Sequence, residues 1–175
     1  GDGKLNFILG AKLLNPSAQF FVINLPEVLV NDYAVIREMN FLKDEEIEVI
    51  NNEDENIYSE NKKLYLIPAS AANFCKNKGI DFFSNIHSMM EMRSTEIRKY
   101  FDIIKNNKAY FYCNNRIHKP GVGDDDDFYY EKMPWDNAKI IFKDQCNVCL
   151  KFYNFRPPNI RNFDEKFIET LAKFD

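Results

Sequence analysis

The sequence predicts an α/β fold: a mostly parallel sheet with helices on both faces, closing in an antiparallel C-terminal hairpin. Three observations carry this expectation. Short apolar runs recur at 20–23, 64–67 and 109–113, each the length of a buried strand. Stretches with apolar residues at helical spacing separate them, the pattern of strand–helix–strand units. The last two runs, 138–142 and 148–155, are joined only by the polar turn KDQCN, which suits an antiparallel pair.

Each element has its own signal. Gly1 to Gly3 reads as a glycine turn, and Leu5, Ile8, Leu9 and Leu13 follow at helical spacing until Asn15-Pro16-Ser17 stops the helix. Phe20–Ile23 reads as a strand buried on both faces. Pro26 can start a helix, its fixed φ suiting the first turn, with Val28, Leu29, Tyr33 and Ile36 on one side. Residues 43–63 are polar and predict a loop around a weak strand, EIEVI. Leu64–Ile67 is the next buried strand, ended by Pro68. Asp81–Ile86 reads as a further buried strand, and Ser88 opens a helix carrying Ile97, Phe101 and Ile104. Ala109–Cys113 is a strand and Gly121–Asp127 a loop. Asp164 is expected to cap a final helix with Phe167 and Leu171.

Composition narrows the function. A chain of 175 residues predicts one domain, 1–175, and 45% hydrophobic residues exclude a disordered chain. The net charge of -4 provides no global basic field to attract nucleic acid. No apolar run approaches the roughly 20 residues needed to span a bilayer. Four cysteines, at 75, 113, 146 and 149, are too sparse for a disulfide scaffold and fit a reducing, cytoplasmic setting. Cys146 and Cys149 form a CxxC. A zinc site would want a second ligand pair, and neither His87 nor His118 has a typical spacing from it. A redox CxxC normally opens a helix after a strand, whereas this one reads as a turn running into a strand. The cysteines are therefore read as structural.

Four segments, in order, resemble a family of sugar O-methyltransferases in bacterial surface-polysaccharide gene sets, within the class I S-adenosylmethionine-dependent methyltransferases. GDGKL, Gly1 to Leu5, is similar to the tail of the glycine motif. FFVINLPEVL, Phe20 to Leu29, resembles a strand ending in Asp-Leu-Pro-Glu. DFFSNIHSMMEM, Asp81 to Met92, resembles Asn-x-His-Ser-x-x-Glu-Met, the most specific of the four. YFYCNN, Tyr110 to Asn115, is similar to an aromatic strand ending in Asn. The likeness covers roughly residues 1–120. A parallel sheet with an antiparallel C-terminal hairpin is characteristic of the class I enzymes. Their glycine turn normally follows a buried strand, and none precedes Gly1 here. The resemblance thus implies an N-terminally truncated methyltransferase domain.

The resemblance implies a cofactor, S-adenosylmethionine, and an acceptor, a sugar or nucleotide-sugar hydroxyl. Gly1, Asp2 and Gly3 would receive the methionine part, since glycines let the backbone approach a ligand closely. Asn24 stands where the family has an acidic residue for the ribose hydroxyls, and an amide binds a diol more weakly than a carboxylate does. Glu27 is the nearby helper, or only a first-turn acid facing the helix dipole. Ala69 and Ser70, after Pro68, would border the adenine, or form no more than a strand-ending turn. His87 is the candidate general base, with an unperturbed pKa of about 6.5, or else a histidine that holds the loop by hydrogen bonds. Glu91 is the second candidate, although Ser88-x-x-Glu91 also reads as a capping box. Asn85, Asn114, Asn115 and His118 are candidate acceptor-binding residues, with plain loop roles as the alternative. The strand ends carrying Gly3, Asn24, Ala69 and His87 are expected to converge on one cleft. Asp124 to Asp127 could hold a divalent cation, but consecutive acids are usually solvated, and no metal is assigned. A domain with only a binding or structural role is the alternative to an enzyme.

Overall fold

The computed structural model describes residues 5–52, 59, 61–121, 127–147, 149 and 166–175. The chain forms two compact units, Gly1–Lys78 and Gly79–Asp175.

The first unit is a parallel sheet with helices. Helix α1 spans Asn6–Leu14 and helix α2 spans Pro26–Glu38. Strands β1 (Phe20–Asn24), β2 (Ile47–Val49) and β3 (Leu64–Pro68) lie in the order β1-β3-β2, all parallel. Central β3 is buried on both faces. Leu64 and Leu66 join Val22, Leu29, Ile36 and Ile47 in one core. Tyr65, two-sided by alternation, stacks on Phe21 at 4.7 Å between ring centroids. β1 differs from its expected double burial, because only Val22 is fully buried. The physical reason is its position at one edge of this three-stranded sheet. Pro26 occupies the first turn of α2, as its fixed φ predicts. A 3₁₀ segment, Ala69–Cys75, follows β3 and seats Phe74 against Tyr65.

The second unit is a mixed sheet in the order β4-β5-β9-β8. Strands β4 (Phe82–Ile86) and β5 (Tyr110–Arg116) are parallel and are joined by helix α3 (Ser94–Asn106). Short strands β6 (His118–Lys119) and β7 (Phe128–Tyr129) form a separate hairpin. Strands β8 (Ala138–Gln145) and β9 (Phe167–Phe174) pair antiparallel, and β9 also runs antiparallel to β5. Ile97, Phe101 and Ile104 of α3 face the core at helical spacing. Phe101 is its hub, meeting Phe111, Trp135 and Phe174 edge-on at 5.4, 5.1 and 6.1 Å.

Four expectations are corrected here. Residues 167–174 form a strand, not the final helix. Phe167 and Leu171 do have helical spacing, but Thr170, Ala172 and Phe174 also alternate, and ladder bonds on both sides of β9 favour the extended chain. Asp164, the expected cap, lies outside the described residues, as does all of 148–155 except Cys149. Cys149 and Asn147 are helical, so the CxxC does not run directly into a strand. β4 is only partly buried, being an edge strand, with Phe82 44% exposed and Asn85 its one fully buried residue. Finally, α3 begins at Ser94, and Ser88 precedes only a 3₁₀ turn, Met89–Glu91, without a side-chain capping bond.

Candidate functional site

The site in the second unit is built on the turn that ends β4. β4 stops because His87 adopts φ 60, the left-handed region that few residues other than glycine tolerate. Its backbone N–H is kept satisfied by the Asn114 carbonyl at 2.8 Å, on the neighbouring strand β5. Two buried amides then hold the following turn. Asn85 Oδ1 accepts from the Met89 N–H at 3.0 Å and from Asn115 Nδ2 at 3.0 Å, while Asn85 Nδ2 donates to Ser88 Oγ at 2.6 Å. Asn115 Oδ1 accepts from the Met90 N–H at 3.1 Å. Asn85 and Asn115, candidates for acceptor binding, therefore spend their polar atoms on the backbone that positions His87. Ser88 is the partner of Asn85 rather than a helix cap.

The His87 imidazole lies against the Phe167 ring at 4.6 Å. Burial is the main cause that lowers its pKa, the positive Arg116 adds to the lowering, and a hydrogen bond to the Asn114 side chain opposes it. The ring is thus neutral at neutral pH, the form that accepts a proton. Its Nε2 stands 3.3 Å from Cys149 Sγ, and Cys149 Sγ stands 3.0 Å from Cys146 Sγ. Asn114 Nδ2 reaches Cys146 Sγ at 3.2 Å. Sequence spacing did not link His87 to the CxxC, because the contact joins residues 62 positions apart. Nearby, the Tyr112 hydroxyl donates to Glu169 at 2.8 Å, and burial pushes that phenol up to about 12.

The remaining candidates of this unit lie outside this cluster of bonds. Glu91 is ion-paired with Lys119 and its side chain is 53% exposed. His118 stacks on Tyr129 at 4.6 Å and sits 3.5 Å from Asp127. Asp127 accepts the Gly121 N–H at 2.9 Å, and that bond, with one from the Tyr129 hydroxyl, holds its carboxyl below the usual range. Asp124 to Asp126 lie outside the described residues. Among the described residues, no cluster of three or more His, Cys, Asp or Glu is arranged to hold a metal ion.

In the first unit, Asn24 closes β1. Its Oδ1 accepts the Leu25 N–H at 3.1 Å, and its Nδ2 donates to Asp32 Oδ2 at 3.4 Å. Asp32, on α2, is a carboxylate only 1% exposed. Sequence reasoning missed it; the available signal was an acid eight residues past the strand end, on the helix face shared with Leu29 and Ile36. Glu27 is in the first turn of α2 and exposed. Ala69 is half-buried and Ser70 exposed at the carboxyl end of β3. Gly1, Asp2 and Gly3 lie outside the described residues. Asn24 and Ala69 lie in the first unit and His87 in the second.

A groove of about 380 Å³ opens elsewhere in the second unit, lined by Tyr130, Met133, Trp135, Ile140 and Lys143 with Thr170. Thr170 is register-paired with Cys113, so the groove lies on the sheet face opposite Asn114 and holds none of the candidate residues. No helix among the described residues is long and apolar enough to cross a membrane.

No family model matches the chain, and no curated protein matches it. Similar solved structures do exist. One, described as "A Pericyclic Reaction enzyme", has a TM-score of 0.50 and 8% identity, covering 100% of this chain and 42% of that one. A structure of LepI in complex with SAH and substrate analogue gives a TM-score of 0.49 at 7% identity, and LepI with SAM gives 0.46 at 8%. Each is covered over only 41% of its length. The chain thus spans about two fifths of these structures. The shared fold is α/β and Rossmann-like, as the element pattern predicts. Among the described residues, the antiparallel C-terminal pair is β8 with β9, whereas the sequence predicts 138–142 paired with 148–155.

Proposed function

We propose that this chain binds S-adenosylmethionine and supports methyl transfer to a hydroxyl, with a sugar or nucleotide-sugar as the acceptor. The observation that carries the reading is His87. A non-glycine residue is held at positive φ at the carboxyl end of a parallel strand, where ligands of open α/β sheets bind. Strained backbone of this kind costs of order 1–3 kcal/mol and clusters at functional sites. The imidazole it presents is kept neutral by burial.

The residues at the ends of β1 and β3 fit the cofactor's polar parts. Asn24 offers an amide to a ribose diol, with the buried Asp32 carboxylate orienting it from α2. Glu27, Ala69 and Ser70 complete the cofactor set, with Gly1, Asp2 and Gly3 at the methionine end. When bound, the cofactor supplies the methyl group for an in-line displacement. The chain's share is to align the hydroxyl and take its proton on the His87 imidazole. Glu91 is the weaker candidate, since Lys119 already neutralises it. His118 remains the candidate for acceptor contacts, with Asn85, Asn114 and Asn115 acting through the turn they brace.

Calorimetry with S-adenosylhomocysteine, followed by methyl-transfer assays on a panel of nucleotide-sugars, tests this reading. Binding with turnover supports it. One observation favours a domain with a binding or structural role: the Asn24 amide is already bonded to Asp32 and to the Leu25 N–H. Absence of any S-adenosylhomocysteine binding would establish that second reading.

A further inference from the structure

We propose that Cys146 and Cys149 are a reversible disulfide-forming pair, a modification site in direct contact with His87. The proposal does not rest on methyl transfer.

The geometry leads to it. The two sulfurs are 3.0 Å apart, about 1 Å beyond a disulfide bond of about 2.05 Å. They are too close to share a zinc ion. Zn–S bonds of about 2.3 Å at a tetrahedral angle would hold the sulfurs about 3.8 Å apart. The other two cysteines offer a contrast. Cys75 is fully buried in the first unit, and Cys113 is fully buried on β5, where its sulfur receives the Asn115 amide at 3.2 Å. Cys149 is the less buried member of the pair, and it alone touches His87.

The oxidant named is a low-molecular-weight disulfide, RSSR. Cys149 gives its thiol proton to His87 Nε2, and its sulfur lone pair attacks one sulfur of RSSR. The external S–S bond breaks, and the leaving RS⁻ takes up a proton to become RSH. Cys146 then attacks Cys149 Sγ of the mixed disulfide. The internal S–S bond forms, the second RS⁻ leaves, and the Cys146 proton balances it. Two protein thiols are oxidised and one external disulfide is reduced to two thiols. Burial pushes the Cys149 thiol up to about 12. Little thiolate exists at neutral pH, so the reaction is slow and follows the standing redox potential rather than brief pulses.

Oxidation also changes what His87 feels. In the dithiol form the Cys149 S–H can donate to the neutral imidazole, which favours the neutral form. The disulfide has no hydrogen to donate. The imidazole then titrates at a higher pH, with Arg116 on β5 and Glu169 on β9 the charges acting on His87 and Cys149.

The test equilibrates the whole chain with reduced and oxidised glutathione, quenches in acid, unfolds, alkylates and maps the cysteines by mass spectrometry. The expected result is loss of two hydrogens, Cys146 and Cys149 protected together, Cys75 and Cys113 alkylated, and full reversal by dithiothreitol. Cys146→Ser should trap a glutathione adduct on Cys149, because the resolving thiol is gone. Histidine NMR of the wild-type chain should show the His87 midpoint raised in the oxidised form. The proposal is overturned if all four cysteines stay alkylatable, if the wild type stops at the adduct, or if the His87 midpoint is the same in both forms. It is equally overturned if protection is reversed by a chelator instead of a reductant. The wild-type mass measurement stands even if Cys146→Ser fails to fold.

Discussion

Asn114 holds His87 from two directions. Its carbonyl accepts the His87 backbone N–H at 2.8 Å, and its side chain bonds the imidazole. The backbone bond fixes where β4 ends, and the side-chain bond partly opposes the effect of burial on the ring. These two bonds, with the positive φ, fix the position of His87 at the end of β4.

Replacing His87 should therefore separate chemistry from binding. His87→Ala is expected to lower methyl-transfer turnover about 10²–10⁴-fold. S-adenosylhomocysteine affinity, measured beside it by calorimetry, should be unchanged. A fall of less than about tenfold, short of the range for a general base, would pass the role to Glu91. Parallel losses of affinity and thermal stability would instead mark a histidine that only holds the loop.

The pH dependence follows from the same burial. The folded-state pKa of His87 lies below its unfolded value of about 6.5. The unfolded chain thus binds the proton more readily. The histidine's contribution to stability is present above about pH 6.5 and is lost as pH falls through the window between the two values. In a turnover assay, the acid limb of kcat/KM should lie below about pH 6.5 for the same reason. His87→Gln should flatten that part of both profiles. An acid limb above pH 6.5 would contradict a base whose pKa is lowered by burial.

Element type was largely legible, and the reasons are local. Phe20–Ile23, Leu64–Ile67 and Ala109–Cys113 are short apolar runs bounded by polar or proline signals, and each became a strand. Residues 167–174 were not legible, because Phe167 and Leu171 satisfy a helical period while Thr170, Ala172 and Phe174 satisfy a strand's. Only the ladders to β5 and β8 decide between them. The site shows the same limit. The Asn-x-His-Ser motif drew attention to the turn at His87, but the sequence could not tell an acceptor-binding amide from a bracing one. That distinction lies in where the Asn85 and Asn115 oxygens point, which tertiary packing sets.

Bracing makes Asn115 a stability residue. Asn115→Ala leaves the buried Met90 N–H without its side-chain acceptor and takes a donor from Asn85. An unsatisfied buried group costs about 1–3 kcal/mol. Urea unfolding followed through Trp135, the single tryptophan and a member of the same unit, should show a loss in that range. A loss below about 0.5 kcal/mol, the scale of a surface change, would mean that the turn does not depend on this amide.

The last prediction concerns the acid that the family resemblance places at position 24. Asn24→Asp would match the resembled motif, and on sequence grounds it should strengthen ribose binding. The structure argues otherwise. Asn24 Nδ2 donates to Asp32 at 3.4 Å, and Asp32 is buried. A carboxylate at position 24 replaces that donor with a second acceptor. Two carboxylates sharing a site cannot both ionise cheaply, so one pKa rises. A carboxyl whose folded pKa is raised destabilises the fold above that pKa, and the penalty fades as pH falls and the proton is taken up. Asn24→Asp should thus melt below the wild type at pH 7 and approach it near pH 5, with no gain in S-adenosylhomocysteine affinity at pH 7. The double variant Asn24→Asp, Asp32→Asn exchanges the two groups and should recover most of the lost stability at pH 7. If Asn24→Asp alone is as stable as the wild type at pH 7 and binds more tightly, Asp32 is not the partner that sets the choice of residue at position 24.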